Sequence, residues 1–409
     1  MINKLVLTVI FFIFLFSCRN NEQANDPEIQ AKQVKQLDSP ADTASAEPYL
    51  FTDKNGLVYL SWIERIGKES FLKFSTLHDS SWSAPIVIAS GSNWFVNWAD
   101  YPLLVADGNN NIIAHYLEKS GKGTYAYDVK WVASSDQGKT WTAPKILHDD
   151  GKQAEHGFVS MINKGDDFFV SWLDGRNAAM EDGGGHDAHE GHGGAMTIRA
   201  ATIDKQGEKI EEWELDNRVC DCCQTSAVLT NNGPVVIYRD RDENEIRDMS
   251  IVRFINGKWT APKTIFADNW KIAGCPVNGP RASAKGNTLA VAWFSAPEKN
   301  SKVNLVFSEN GGETFYEPIR IDEGKCIGRV DVEMLDENSA MVSWMENGHI
   351  KAQQVYKDGK KEPSIIIATS SEERSGGFPQ MTLSGANLIF AWTDDKEKTI
   401  KTAIVGLDG

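Results

Sequence analysis

The stretch Val105–Tyr116, VADGNNNIIAHY, decides the fold. A glycine- and asparagine-rich turn is followed by a β-branched apolar run that ends in an aromatic residue. The chain therefore leaves along one strand, reverses and returns along a second. The phrase recurs as TLSGANLIFAW over Thr382–Trp392. Working outward, seven runs share its character: LVYLSW, IIAHYL, FFVSWL, PVVIYR, LAVAWF, AMVSWM and LIFAWT. Their landmarks are Trp62, Tyr116, Trp172, Tyr238, Trp293, Trp344 and Trp392, spaced 54, 56, 66, 55, 51 and 48 residues apart. A repeat of about 50 residues holding about four strands marks a β-propeller. The expected class is all-β, with seven four-stranded blades favoured over six. The last repeat, ending KTIKTAIVGLDG, is about one strand short, and the stretch from Ile29 to Leu37 can supply that strand. Closing the ring removes the open edges that an array would leave.

The amino terminus reads differently. Lys4 precedes an apolar run from Leu5 to Phe16, which is too short to span a membrane and suits the core of a signal peptide. Ser17 before Cys18 resembles a bacterial lipobox, which implies lipidation of Cys18 after cleavage; the alternative is an ordinary secretory signal with an incidental cysteine. Residues 1–17 are thus expected to be a signal peptide, 18–46 a polar tether and 47–409 one propeller domain. The expected location is the cell envelope, periplasm-facing or on the surface, with a lipid anchor as the membrane contact. Net charge is −15 without a basic run, which argues against nucleic acid as a partner.

Recurring turns refine the picture. Trp82, Trp141 and Trp259 each open a W-[ST]-A-P phrase, and Phe315 opens FYEP; proline there suits an outer strand that needs no ladder donor. The turn from Ser134 to Trp141 reads S-x-D-x-G-x-T-W, and Ser308 to Phe315 repeats it with Asn310 for the acid and Phe315 for the tryptophan. This resembles the Asp-box (BNR) repeat of sialidases and their relatives. The phrases CDCCQTS, YRDRDENEIRDMSIVRF, CPVNGP and GRVDVEMLDENSAMVSWME look like a subgroup of exported bacterial BNR-repeat, sialidase-like proteins. The resemblance implies a propeller, with the boxes on the face opposite the site, and does not by itself imply a reaction.

Ligand sites in propellers lie around the channel mouth, where the loops entering inner strands and leaving second strands converge. Cys220, Cys275 and Cys326 each lie eighteen residues before their landmark, so three successive blades place a cysteine in one register, and Cys222 and Cys223 add two thiols. The same face receives the insertion GRNAAMEDGGGHDAHEGHGG, with His186, His189 and His192 beside Asp182, Asp187 and Glu190. His156 precedes an inner strand. Thiolate and imidazole suit Zn or Cu, whereas exported cysteines commonly pair, so disulfide, metal and redox readings stay open. One disulfide between neighbouring blades, with at least one thiol left, is the favoured arrangement. The histidine loop reads equally as a solvated insertion.

Sialidases hold the substrate carboxylate with three arginines, and the first of these has no counterpart in AEPYLFTDKNG. Arg176, Arg239, Arg247, Arg281 and Arg329, with Asp240 and Asp248, remain ligand-binding candidates on that face. Tyr238 is a repeat landmark, which explains it better than nucleophilicity. Three functions follow as expectations: a glycan-directed propeller, binding or hydrolytic; a metal-binding (Cu or Zn) or thiol-redox propeller; and a non-catalytic envelope scaffold.

Overall fold

The computed structural model describes residues 32–178 and 194–407. Within it the chain forms seven antiparallel sheets, each of four or five strands. The inner strands of blades one to seven are Ser45–Thr52, Leu104–Ala106, His156–Lys164, Ser226–Thr230, Arg281–Lys285, Cys326–Asp336 and Gln380–Ser384. Each landmark aromatic lies in the second strand of a different blade, so the fold is the seven-bladed propeller that the spacing predicts. The outer strand of blade seven is Val34–Leu37, paired with Thr402–Val405 from the other end of the chain.

The second strands are covered on both faces by adjacent blades, which is why they read as continuous apolar runs rather than alternating ones. Trp62, Trp172, Trp293 and Trp344 are fully buried between sheets. A buried indole N–H needs an acceptor, and three landmarks find a carboxylate: Trp172 donates to Asp174, Trp293 to Asp268 and Trp344 to Glu346. Tyr238 follows the same rule, its hydroxyl donating to Asp216 Oδ2 at 2.6 Å, so it is a packing residue.

Both box turns have one geometry. Thr140 N donates to Asp136 Oδ1 at 2.9 Å and Gly138 N to Ser134 Oγ at 2.8 Å. In the degenerate copy Thr314 N donates to Asn310 Oδ1 at 2.9 Å and Gly312 N to Ser308 Oγ at 3.0 Å. An amide oxygen replaces the carboxylate because the turn needs only an acceptor there. Gln137 donates to the carbonyl of Asn109, in the turn between the first two strands of blade two, so the box lies on the face away from the channel mouth.

The inner strands of blades four, five and six begin at Ser226, Arg281 and Cys326. Blades four and five are entered by irregular segments that cross the mouth before pairing starts. In blade six a bulge between Gly328 and Asp331 lets pairing extend further towards the mouth. Equivalent bulges interrupt blade one (Ala46/Tyr49) and blade three (Gly157/Ser160). Glu47, Phe158 and Arg329 all adopt positive φ there, and bulges of this kind re-aim side chains at a rim.

Candidate functional site

The channel mouth is filled. Residues 98–101, leading into blade two, cross it and contact nearly every other blade. Trp98 stacks on Phe378 of blade seven, and Arg329 of blade six lies over the Trp98 ring at 5.1 Å. Asp100 Oδ1 accepts the Phe158 N–H of blade three at 2.7 Å, while Ala99 O accepts Gln224 Nε2 at the entrance to blade four. Gln224 Oε1 in turn accepts the Gly279 N–H leading into blade five. Beneath this plug a channel of about 760 Å³ runs between the inner strands, lined by Tyr49, Arg281, Asp331, Glu333 and Gln380 among others.

The sequence-derived arginines are committed to the scaffold. Arg239 is buried and donates to the carbonyls of Asn278, Arg247 and Phe294 while stacking on Trp270. Arg329 donates to the carbonyls of Glu372, Glu373 and Gly377, and burial lowers its pKa to about 10. Arg281 reaches Gln380 at 2.6 Å and Asp331 at 3.5 Å inside the channel. Arg176 forks onto Asp174. Arg247 bridges Glu245 and the Cys220 sulfur. Asp240 accepts from Ser250, and Asp248 holds the backbone N–H groups of Asn269 and Trp270.

Four of the cysteines do gather. Cys222 and Cys275 form a disulfide, with Cα atoms 6.0 Å apart, joining the approaches to blades four and five. The sulfurs of Cys220, Cys222 and Cys223 all lie within 4.8 Å of one another, and those of Cys220 and Cys223 are 3.4 Å apart. Burial alone would raise the Cys220 thiol, but the Cys223 S–H and the Arg247 and Arg239 guanidinia outweigh it and hold its pKa below the ordinary thiol range, which favours a Cys220 thiolate. Burial and that neighbouring thiolate push Cys223 well above the ordinary thiol range. Arg247 Nη1 at 3.3 Å from Cys220 Sγ suits a thiolate better than a bound cation. Cys326 does not join them. It is the first paired residue of its inner strand, opposite Glu346, and packs in a separate core cluster. A shared count from the landmark fixes distance along the ladder only where the chain follows the ladder, and the segments carrying Cys222 and Cys275 leave it.

His156 belongs to a buried polar network between blades two and three. Its ring stacks in parallel on His148, with centroids 3.5 Å apart. Asp150 serves both, Oδ1 facing His148 Nδ1 at 2.7 Å and Oδ2 facing His156 Nε2 at 3.1 Å. Burial would depress the His148 imidazolium, but Asp128 and Asp150 outweigh it and hold it above its ordinary range. Parallel rings cannot both direct an in-plane lone pair at one ion, so the pair fits an imidazolium–carboxylate network better than a joint metal site. Cys18, His186, His189 and His192 lie outside the described residues.

One surface feature was not anticipated. On the mouth face, between blades one and two, a cleft of about 420 Å³ is lined by Trp94, Phe95, Arg65, Lys68, Lys119 and Glu69. Trp94 is backed by Tyr116 at 4.3 Å and Phe95 by Tyr127 at 4.1 Å, which fixes both rings. Arg65 and Lys119 direct hydrogen bonds to the carbonyls of Val96 and Thr124 rather than to carboxylates. Three cations therefore gather in one cleft of a strongly acidic protein.

Residues 70–372 match the BNR repeat-like domain family. The chain belongs to that family. No curated protein is significantly similar in sequence. Among solved structures, the polysaccharide lyase Uly1 is similar at 9% identity with a TM-score of 0.53, covering 89% of this chain and 90% of the lyase. An α-L-arabinanase from Penicillium chrysogenum gives 11% identity and a TM-score of 0.47, covering 92% and 98% of the two chains. A Hadza microbial sialidase gives 14% and 0.43, with 77% of this chain covering 66% of the sialidase, just under two thirds of its length. At such identities the likeness is one of fold.

In this BNR repeat-like protein, sequence reasoning missed the cleft because its aromatics, Trp94 and Phe95, come from the irregular link between Ile86–Gly91 and Leu104–Ala106, although Arg65 and Lys119 each lie three residues after their landmarks Trp62 and Tyr116. That shared register, and the adjacent aromatics Trp94 and Phe95 in an acidic chain, were the signals available. It also missed His148, Asp128 and Asp150, which come from three different positions along blade two and the loop beyond it.

Proposed function

We propose that this protein is a glycan-binding propeller, held to the outside of a bacterial membrane by lipid at Cys18, and that it takes an acidic sugar in the cleft between blades one and two. The observation that carries this reading is the composition of that cleft: two braced aromatic rings beside Arg65, Lys68 and Lys119. Sugars present apolar C–H faces to aromatic rings, and guanidinium and ammonium groups pair with a carboxylate. The plugged mouth favours a site off the axis.

The test is calorimetric titration with a panel of uronate- and sialate-containing oligosaccharides, each matched with its carboxyl-reduced form. The acidic member of a bound pair is expected to bind at least about tenfold more tightly, and Trp94→Ala or Lys68→Ala should abolish that preference. Equal affinity for both members, no binding across the panel, or undiminished binding in both variants contradicts the reading.

A further inference from the structure

We infer that Cys220, Cys222, Cys223 and Cys275 form a thiol–disulfide relay, in which a surface disulfide conducts oxidation by low-molecular-weight disulfides to a buried dithiol. The geometry has three parts. Cys275 is exposed, on the irregular segment that precedes blade five, while its partner Cys222 is largely buried. Cys220 and Cys223, spaced as C-x-x-C, are free and almost wholly inaccessible. The three inner sulfurs lie within 4.8 Å of one another, so every exchange joins neighbours and no large movement of the chain is needed.

The charge distribution selects the nucleophile. Arg247 lies against Cys220 at 3.3 Å, and attack in thiol–disulfide exchange is by thiolate. Cys220 attacks Cys222 Sγ; the Cys220–Cys222 bond forms, the Cys222–Cys275 bond breaks, and Cys275 leaves as a thiolate at the surface. That thiolate attacks an external disulfide RSSR, giving a Cys275–SR mixed disulfide and releasing RS⁻. Cys223, losing its proton, attacks Cys220 Sγ, forming Cys220–Cys223 and releasing Cys222. Cys222 then attacks Cys275 Sγ, restoring the surface disulfide and expelling the second RS⁻. The Cys223 proton, and the one that Cys220 gave to solvent on ionising, end on the two RS⁻ ions. In sum, one protein dithiol and one RSSR become one protein disulfide and two RSH, a two-electron oxidation of the buried pair. With excess RSH the same steps run backwards.

The arrangement separates function from accessibility. Neither buried sulfur meets the reagent, and the outer disulfide is regenerated in each cycle. The site is independent of the glycan cleft, which lies between blades one and two.

The test uses the full chain with oxidised glutathione, quenched in acid at intervals, alkylated and mapped by peptide mass spectrometry. The relay predicts that glutathione appears first on Cys275. The end product should carry Cys220–Cys223 and Cys222–Cys275 bonds and no adduct. Cys275→Ser should slow formation of the Cys220–Cys223 bond by roughly tenfold or more, with an unchanged near-ultraviolet dichroism spectrum. First adducts on Cys220 or Cys223, a buried pair that remains reduced in the wild type, or an unchanged rate in Cys275→Ser each overturns the inference. Should Cys275→Ser misfold, the order of adducts in the wild-type chain decides.

Discussion

Glu333 faces the channel from blade six, its Oε2 accepting the Ser283 hydroxyl at 3.0 Å. Burial, then the adjacent Asp331 carboxylate, raises its pKa from 4.5 to about 8, against smaller opposing effects of Ser283 and Arg281. Because the folded value exceeds the unfolded one, stability falls as pH rises from 4.5 towards 8, where only the unfolded chain ionises freely. Glu333→Gln should remove that slope and stabilise the protein by on the order of 1 kcal/mol at pH 8, read from urea denaturation; an unchanged slope would show that Glu333 is ionised in the fold. His148 titrates in a different window. Its raised imidazolium contributes stability that is complete below about pH 6.5 and is lost as pH climbs through the folded value. His148→Gln should therefore lower the melting temperature at pH 6 more than at pH 9, and equal losses at both would contradict the charged network.

At the level of strands and turns, two features carry distinct costs. Val34–Leu37 closes blade seven, and Leu37 packs with Leu50, Trp62 and Ile400 at the junction with blade one. Burying one leucine contributes about 1.5–3 kcal/mol. Deleting residues 1–40 should thus cost at least that much and expose the edge of Thr399–Gly406, read as a fall in the urea denaturation midpoint; an unchanged midpoint would show that Val34–Leu37 does not close the ring. Gly312, in the second box turn, has φ of +81°, and a β-carbon there would lie 2.4 Å from Ile251 Cδ1. Gly312→Ala is expected to cost about 1–3 kcal/mol through overpacking and backbone strain together. Gly359, with φ of +91° and open space around it, should suffer the strain alone and lose less. These elements were legible in the sequence because their chemistry is local. A run such as FFVSWL must be covered on both faces, and Ser134 to Trp141 closes on its own side chains. Cys326 was misplaced for the opposite reason: its position depends on where pairing begins, which the bulge at Gly328–Asp331 determines. The plug of Trp98 to Tyr101 was equally hidden, since it is made by contacts with blades remote in sequence.

Taken whole, the molecule has turned the propeller's usual binding face into a closed one. A sialidase-type site needs three guanidinia converging, unpaired, on a substrate carboxylate at the mouth. Here Arg239 and Arg329 are saturated by backbone carbonyls. Arg281 lies in the channel beside Asp331, and Arg247 is held by Cys220 and Glu245. Freeing any of them would leave buried acceptors unpaired, at about 1–3 kcal/mol for each orphaned group. Trp98, Ala99 and Asp100 also cross the mouth, held by blades seven, four and three. Incubation with a fluorogenic sialoside is accordingly expected to give turnover no higher than that of buffer. Arg247→Ala, Arg281→Ala and Arg329→Ala should be recognisable as stability defects in thermal melts rather than as losses of catalysis. Robust sialoside cleavage by the wild type, abolished in those variants while their melting temperatures hold, would mean that the plug opens and that the arginines serve a substrate after all.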